Sequence, residues 1–368
     1  MLRVGADFSG VGAFNQSLMR LGVEFEEVFA CDMDKYARDT FIHNYGEPKY
    51  YPTNVYDREI PSQSLDIYMT SPPCQAFSLA GKRLGKDDMR GILFFNSHEF
   101  IQVNKPRFFI FENVKGLLSD DGGKTFQEWV NMLGGKSVNG VPVLFPYEES
   151  VPYHLYWQVL NAKHHGVPQN RERVFLVGIR DDQDNKFQFP REEHLTKRLK
   201  DVLEISVDDK YFLSEKMISG FLAHNKRHIE EKGQDGFNWK PKDETQIANC
   251  LRANAALCPT DNTIKVKSAT LKGYEEATIG DSINFSVPNS ETRRGRVGKG
   301  VAQTLDTACN QGTIDNKTIR RLTPRECFRL MDFPDTFTWK VSDSQAYKQA
   351  GNSIVVNVLY KILKQLPL

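Results

Sequence analysis

The order of strands, glycines and acids at the start of the chain constrains the fold more than any other feature. Residues 4–8 form a short apolar run that predicts a strand, and residues 9–14 predict a tight loop with two glycines. A helix is predicted from residue 15 to about residue 21, with Gly22 as its C-cap, followed by a second strand over residues 23–30. This is the order of a βαβ unit, so the sequence predicts an open α/β sheet.

An acid follows the second predicted strand. Asp32 lies about 20 residues after the glycine loop, where a carboxylate can bind the two hydroxyls of a ribose. The loop is not the G-x-G-x-x-G fingerprint of dinucleotide-binding proteins, because Phe14 and Asn15 occupy the closing positions. Two interpretations therefore stay open from these residues: a nucleotide-binding loop, and an ordinary glycine turn between a strand and a helix.

A thiol follows two prolines at the end of another predicted strand, residues 65–69. Pro72 and Pro73 remove two N–H donors and fix two φ angles, so Cys74 is expected on a stiff loop. The carboxyl edge of an open α/β sheet is where such folds bind ligands, which favours a functional thiol. A small buried hydrophobic residue after a turn is the alternative for Cys74 taken by itself.

A carboxylate follows a continuous apolar run. Residues 107–111 predict a central parallel strand, and Glu112 comes directly after it. A carboxylate at the end of a buried strand is costly unless it is paired or neutral, so we expect Glu112 to be functional. His164 and His165 lack a third ligand at metal spacing, so we interpret them as polar loop residues and predict no metal site.

Other segments predict elements by their apolar pattern and their end signals. Gly46 is expected to end a helix, and Thr323 with Glu326 forms a capping box with Pro324 in the first turn. Strands are predicted over residues 51–56, 153–160 and 174–179, and helices over residues 34–44, 92–103, 323–331 and 354–365.

The βα order stops between residues 181 and 317. Polar and charged segments alternate there without a clear period, which predicts a separate, loop-rich domain. The net charge of the chain is +1 and its pI about 7.6, so a local basic surface would have to carry any binding of nucleic acid. Residues 292–300 are such a strip, and residues 80–91, with Arg83, are a second candidate. A solvated loop is the alternative for both.

Cysteine usage and hydropathy exclude several classes of protein. The 6 cysteines include no C-x-x-C pair, which argues against a zinc ribbon or a disulfide framework and fits reduced thiols. The first residues run directly into strand-like sequence, so no signal peptide is expected. No apolar run approaches the roughly 20 residues of a membrane span. We expect a cytoplasmic protein with no membrane partner.

Seven short blocks of this chain resemble, in order and spacing, those of the cytosine-C5 DNA methyltransferases of bacterial and phage type. The blocks are Phe8-Ser9-Gly10-Val11-Gly12, Pro72-Pro73-Cys74-Gln75-Ala76-Phe77-Ser78, Arg90-Gly91-Ile92-Leu93-Phe94, Glu112-Asn113-Val114, Gln169-Asn170-Arg171-Glu172-Arg173, Arg321-Leu322-Thr323-Pro324-Arg325-Glu326-Cys327 and Gly351-Asn352-Ser353. The resemblance implies an α/β, Rossmann-like, S-adenosylmethionine-dependent methyltransferase domain with a smaller, loop-rich target-recognition domain. We assign residues 1–181 plus 338–368 to the first domain and residues 182–337 to the second.

The resemblance also implies roles for four residues in catalysis. The Cys74 thiolate would add to C6 of a flipped-out cytosine, because C5 alone is a poor nucleophile and the adduct makes it reactive. Glu112 would protonate N3, and Arg173 would hold O2 of the base. Arg171 would orient Glu112 or a nearby phosphate.

The implied cofactor is S-adenosylmethionine. Asp32 stands where the family more often has glutamate, Met33 where an aromatic residue commonly faces adenine, and Asn54 where an aspartate is usual. These departures bear on cofactor affinity rather than on the type of reaction. The expected cofactor contacts are Phe8, Gly10, Gly12, Asp32, Met33, Asn54, Leu93 and Asn352.

The implied partner is double-stranded DNA. We expect a monomer in a bacterial cell or a phage-infected host, where any cognate restriction endonuclease acts separately.

Methylation of an exocyclic amine is disfavoured because those enzymes need no thiol, and tRNA methylation because the Cys-Phe-Thr tripeptide of that branch is absent. An inactive DNA-binding protein is disfavoured because Cys74, Glu112 and Arg173 are all present. The expected DNA contacts are Arg83, Arg293, Arg294, Arg296, Lys299 and Thr304.

Overall fold

A computed structural model describes most of the chain outside two long segments. The described residues are 1–72, 92–211, 264–267, 270, 274–278, 280–284, 286, 294–308, 310–315 and 318–368. Three of the expected site residues, Cys74, Arg83 and Arg293, lie outside the described residues. No helix of the described part is long and apolar enough to cross a membrane.

The centre of the molecule is an eight-stranded sheet. Its strands are β1 (Leu2–Asp7), β2 (Phe25–Cys31), β3 (Ile67–Thr70), β4 (Phe108–Val114), β5 (Ser137–Val138), β6 (Val141–Pro142), β7 (Tyr153–Asn161) and β9 (Glu172–Arg180). They lie in the order β2-β1-β3-β4-β9-β7-β5-β6. The first four are parallel, and β9 is antiparallel to both β4 and β7. The chain order reverses between β1 and β3, and ligands bind beside such reversals in open α/β sheets.

Helices cover both faces of this sheet. They are α1 (Ala13–Leu21), α2 (Lys35–Tyr45), α3 (Ile92–Asn104), α4 (Lys124–Leu133), α5 (Pro324–Leu330), α6 (Asp343–Asn352) and α7 (Val356–Leu363). Short 3₁₀ segments lie at Lys115–Gly123, Ala162–His165, Leu199–Val202 and Asp209–Tyr211. Gly22 and Gly46 end α1 and α2 as predicted, and the capping box of Thr323 and Glu326 begins α5.

Two sequence predictions of structure are wrong. Residues 51–56 form a loop instead of a strand, because the carbonyls of Tyr51 and Pro52 accept hydrogen bonds from the Arg38 guanidinium at 2.7 and 3.0 Å. His165 is a fully buried residue rather than a polar loop residue, and burial lowers its pKa to about 4. Helices α4 and α6 are present although neither was predicted.

Side chains alternate between two apolar clusters on opposite faces of the sheet. Ile67 and Met69 of β3 pack into one cluster, and Tyr68 between them packs into the other. The first cluster also contains the apolar faces of α1, α5 and α7, including Phe328. The chain therefore returns at its carboxyl end to complete the core around β1, and each fully buried aliphatic side chain of α7 contributes roughly 1.5–3 kcal/mol.

Small sheets make up the described part of the segment between residues 264 and 321. They contain β10 (Ile264–Lys267), β11 (Tyr274–Ala277), β12 (Ser282–Asn284), β13 (Val297–Gly298), β15 (Gln311–Asp315) and β16 (Thr318–Arg321). One further strand, β14 (Ala302–Gln303), pairs in parallel with β8 (Gln169–Asn170), which precedes β9. Backbone hydrogen bonds therefore join this segment to the large sheet next to Arg171 and Arg173.

Candidate active site and DNA cleft

Glu112 is held at two points at the carboxyl end of β4. Ser71 Oγ donates a hydrogen bond to its Oε2 at 2.7 Å, and Arg173 Nε lies 3.1 Å from its Oε1. Glu112 is buried, with 5% of its surface exposed. Asn113 Nδ2 donates to the carbonyl of Pro72 at 3.2 Å. The start of the loop that leads to Cys74 therefore lies beside Glu112, and Cys74 itself is outside the described residues.

Arg173 reaches Glu112 because β9 pairs with β4 and places Arg173 opposite Val114. Its Nη1 donates to the carbonyl of Glu172 at 2.7 Å. Nη2 has no hydrogen-bond partner among the described residues, and Arg173 lines an open cleft. The guanidinium can therefore hold Glu112 and still donate to a ligand in the cleft.

Arg171 occupies a different environment from the one expected for it. Its side chain is buried and donates to the carbonyls of Leu305, Gly351 and Ser353 at 3.2, 3.0 and 2.8 Å. Burial lowers the pKa of Arg171 to about 9, which leaves it charged at neutral pH. The structure thus gives the contact with Glu112 to Arg173, whereas Arg171 binds three carbonyls on two backbone segments.

The expected cofactor residues Phe8, Gly10 and Gly12 form a turn after β1. All three have positive φ angles, of 57°, 54° and 84°. A Cβ on Gly12 would lie 2.2 Å from the Tyr45 ring, so this position requires glycine. A Cβ on Gly10 would meet no described atom within 4 Å, so the space above the turn is open.

Asp32 lies beside this turn at the end of β2. Its Oδ2 accepts from Gly10 N at 2.7 Å and its Oδ1 from Asp34 N at 2.8 Å. Burial raises the pKa of Asp32, and the two N–H donors oppose that rise. The carboxylate is therefore fixed at the switch point of the sheet, and each oxygen keeps acceptor capacity for a hydroxyl.

Four expected cofactor residues remain, and their side chains differ in exposure. Met33 is 86% exposed, Asn54 accepts a hydrogen bond from Tyr56 N at 3.1 Å, and Leu93 is half-buried at the start of α3. Asn352 is exposed at the end of α6. An exposed methionine at the tip of β2 suits a contact with a flat ring, but these four side chains make no shared hydrogen-bond network among the described residues.

A cleft of about 440 Å³ lies between the end of the large sheet and the small sheets. Of the expected DNA contacts, Arg294, Arg296 and Thr304 line it, but Arg296 is buried and Thr304 Oγ1 donates to the carbonyl of Asn170. Lys299 is bound to Asp281 at 2.8 Å and does not line the cleft. The lining residues are Lys115, Asn170, Glu172, Arg173, Asn284, Arg294, Gly295, Arg296, Gln303 and Thr304.

A buried polar network near the cofactor edge was missed from the sequence. Arg58 Nε lies 3.0 Å from Asp7 Oδ1, and Tyr68 Oη donates to Asp7 Oδ2 at 2.6 Å. Asp7 immediately precedes Phe8, and Arg58 lies four residues after Asn54 in the same loop. A charged residue at the end of the predicted apolar strand β1 was the available signal, because a buried carboxylate needs a partner.

A mixed sheet whose first four strands are parallel, a glycine turn beside an acid, and a paired carboxylate at the end of β4 are consistent with a Rossmann-like methyltransferase. The sequence model of the C-5 cytosine-specific DNA methylase family matches residues 6–367, which confirms the resemblance seen in the sequence. The chain belongs to this family and is a DNA (cytosine-5-)-methyltransferase.

Individual relatives agree with this assignment. The chain is 31% identical to the orphan methyltransferase M.SPRI of Bacillus phage SPR, over 99% of this chain and 97% of that protein. It is 32% identical to the Type II methyltransferase M.HpaII of Haemophilus parainfluenzae, over 98% of this chain and 88% of that protein. The crystal structure of a Spodoptera frugiperda DNMT2 mutant has a similar fold, with a TM-score of 0.61, 17% identity and 99% coverage of both chains.

Proposed function

We propose that this enzyme methylates C5 of a cytosine within a specific sequence of double-stranded DNA, through a covalent bond between Cys74 and C6 of the base. The observation that carries the proposal is the pairing of Glu112 with Arg173 beside Pro72, two residues before Cys74. Relatives named as Type II and as orphan methyltransferases are both similar to this chain, so protection from a restriction nuclease and a phage function are both compatible with its family.

Cys74 is the proposed nucleophile. Its thiolate adds to C6, the C5–C6 π pair shifts to form a C4–C5 double bond, and the C4–N3 π pair moves onto N3, so C5 gains enamine character. An ordinary thiol with a pKa of about 8.5 is roughly 3% thiolate at pH 7, so attack by Cys74 depends on deprotonation of the thiol. After C5 is methylated, the C5 proton leaves to a base and Cys74 is expelled, which restores the aromatic ring.

Glu112 is the proposed acid at N3. When a thiolate adds to C6, negative charge develops on N3 and O2 of the base. The Glu112 carboxyl can pass a proton to N3, and Nη2 of Arg173, which has no partner among the described residues, can donate to O2. Ser71 and Arg173 hold the Glu112 carboxyl in one orientation, so its side chain need not change rotamer before it gives a proton to N3.

The residues around the glycine turn fit S-adenosylmethionine. Gly10 leaves the turn open, Asp32 offers a fixed carboxylate for the ribose hydroxyls, and the exposed Met33 can pack on adenine. Phe8, Gly12, Asn54, Leu93 and Asn352 would complete the pocket. Bound S-adenosylmethionine supplies an electrophilic methyl group. We propose that these side chains hold it at the edge of β1 and β2, on the same edge of the sheet as Glu112 of β4.

DNA binding completes the proposal. A stacked cytosine does not expose C6, so the base must be flipped out at a cost of a few kcal/mol. We propose residues 182–337 as the target-recognition domain and residues 1–181 plus 338–368 as the catalytic domain of a monomer. The cleft between the large sheet and the small sheets carries both Arg173 and residues of that recognition segment, which supports placement of the flipped base there.

Duplex DNA that carries 5-fluorocytosine tests the covalent step. Fluorine at C5 cannot leave as a proton, so the enzyme should remain bound to the DNA through Cys74 and migrate as a complex that resists denaturation. Cys74→Ala should form no such complex and should make no 5-methylcytosine, while it still binds the cofactor. Methyl transfer by Cys74→Ala, or a methyl group found on an exocyclic amine by mass analysis, would contradict the proposal.

A further inference from the structure

The loop of residues 294–300, called the cleft loop here, holds its three described cations in different ways. Arg296 is buried and its Nη2 donates to the Ser286 carbonyl at 2.6 Å. Lys299 Nζ is bound to the Asp281 carboxylate at 2.8 Å. Arg294 is exposed, lines the cleft, and makes no hydrogen bond or ion pair with another described residue. Arg294 is therefore the described cation of this loop that remains available to a ligand.

A carboxylate from the neighbouring strand shapes the cleft loop around Arg294. Glu275 of β11 accepts from Gly295 N at 2.8 Å through Oε1 and from Val297 N at 2.9 Å through Oε2. Gly295 has a φ of 65°, which turns the chain immediately after Arg294. Because both carboxylate oxygens bind backbone N–H groups on either side of Arg296, Glu275 fixes the path of the backbone that presents Arg294.

A second carboxylate anchors the other end of the cleft loop. Asp281 accepts from Gly300 N at 3.0 Å and from Lys299 Nζ, and its Oδ2 also accepts from Thr278 N at 2.8 Å. Both ends of the loop are thus tied to side chains of the small sheets. A loop that is fixed in advance loses little conformational entropy when it binds, and that favours a specific contact.

We propose that Arg294 contacts DNA in the cleft and that Glu275 is a positioning residue that acts through Arg294. The guanidinium offers a planar fork of donors that matches paired oxygen and nitrogen acceptors, either the O6 and N7 edge of guanine or a phosphate. Arg294 and Arg173 line the same cleft, so a duplex whose flipped cytosine meets Arg173 has its neighbouring nucleotides beside Arg294. This inference rests on the proposed function and names a residue for its recognition step.

Comparison of Arg294→Ala with Arg191→Ala tests the DNA contact. Arg191 is an exposed arginine that does not line the cleft, so its replacement controls for the loss of one positive charge. We expect Arg294→Ala to weaken binding of target duplex by roughly 10- to 100-fold, and Arg191→Ala by less than about twofold.

A guanine contact predicts a loss confined to the target sequence, whereas a phosphate contact predicts an equal loss on all duplexes and a salt dependence reduced by about one charge. Equal binding by the two variants would overturn the proposal.

A double-mutant cycle tests the role of Glu275. In Glu275→Gln one backbone N–H faces an amide N–H, so the loop should shift and target binding should weaken by roughly tenfold. In an Arg294→Ala background the same change should weaken binding by less than about twofold, because the residue through which Glu275 acts is gone. An equal loss in both backgrounds would show a structural role and refute positioning. Absence of 5-methylcytosine with the unmodified enzyme would refute the proposed function instead, and the binding measurements would still decide this inference.

Discussion

The Glu112 carboxylate binds Ser71 and Arg173, and a glutamine at this position would keep only one of these two contacts. Glu112→Gln keeps an oxygen for either Ser71 or Arg173 but cannot give a proton to N3. We expect kcat to fall by roughly 10²–10⁴-fold while DNA binding changes little. Initial rates of methyl transfer at saturating DNA would measure the loss. Glu99→Gln, an exposed carboxylate on α3, is the matched control, and a variant at Glu112 with the rate of that control would rule out acid catalysis by this residue.

A second glutamate makes a pH-dependent contribution to stability. Glu27 in β2 is largely buried and accepts a hydrogen bond from Asn15 Nδ2 at 3.0 Å, and burial raises its pKa to about 7. Because the folded pKa lies above the unfolded value of 4.5, the folded protein favours the neutral acid. The stability that this group contributes is complete below pH 4.5 and is lost as the pH rises towards 7.

Glu27→Gln should therefore stabilise the protein relative to the unmodified chain at pH 8 but not at pH 4.5. The rise of the Glu27 pKa from 4.5 to about 7 sets an upper bound of about 3 kcal/mol for the difference. Urea unfolding at several pH values would measure it. Glu24→Gln, an exposed carboxylate just before β2, should show no such trend. A stability difference between Glu27→Gln and the unmodified chain that stays constant from pH 4.5 to 8 would contradict the assignment.

At the scale of elements, the sequence predicted the helix ends that depend on residues close together in the chain. The glycine C-caps of α1 and α2 and the capping box of α5 involve residues within four positions of one another, so their sequence spacing was sufficient. Helix α4 was not predicted, although its buried residues recur at helical spacing. Those residues are Phe126, Trp129, Val130 and Leu133.

Elements that depend on distant partners were not predictable in this way. The segment at residues 51–56 has the apolar and aromatic composition of a strand, yet Arg38 occupies its carbonyls and stacks 3.9 Å above the Tyr51 ring. The composition of this segment carries no information about the Arg38 guanidinium on α2. The strand prediction was therefore wrong, because residues 51–56 form a loop with a turn and the Arg38 guanidinium binds two of its carbonyls.

The residues of the candidate site also divide into those that the local sequence predicts and those whose partners are distant in the chain. Glu112 was predictable because a carboxylate after a buried apolar strand is costly without a function or a partner. The different surroundings of Arg171 and Arg173 were not, because Arg171 lies between β8 and β9, outside the regular ladder. Its partners Leu305, Gly351 and Ser353 are 134, 180 and 182 residues away in the sequence.

At the scale of the whole molecule, Arg171 and its neighbours join the wall of the cleft, where we propose DNA contacts, to the edge where we propose cofactor contacts. A Cβ on Gly351 would lie 2.4 Å from the Asp306 carbonyl, so the segments at 305–306 and 351–353 touch directly. Arg171 binds carbonyls on both. One of these segments follows Thr304 in the cleft, and the other contains Asn352. Displacement of either segment should therefore weaken binding at both proposed sites.

Arg171→Lys tests this coupling, because a lysine keeps the charge but cannot reach three carbonyls with a planar fork. We expect the KM values for DNA and for S-adenosylmethionine to rise together, each by roughly tenfold, and the free energy of unfolding to fall by about 3 kcal/mol. Arg180→Lys, at the other end of β9 and paired with Asp182, should change neither KM. A rise confined to one KM would show that Arg171 serves a single site and would contradict the coupling.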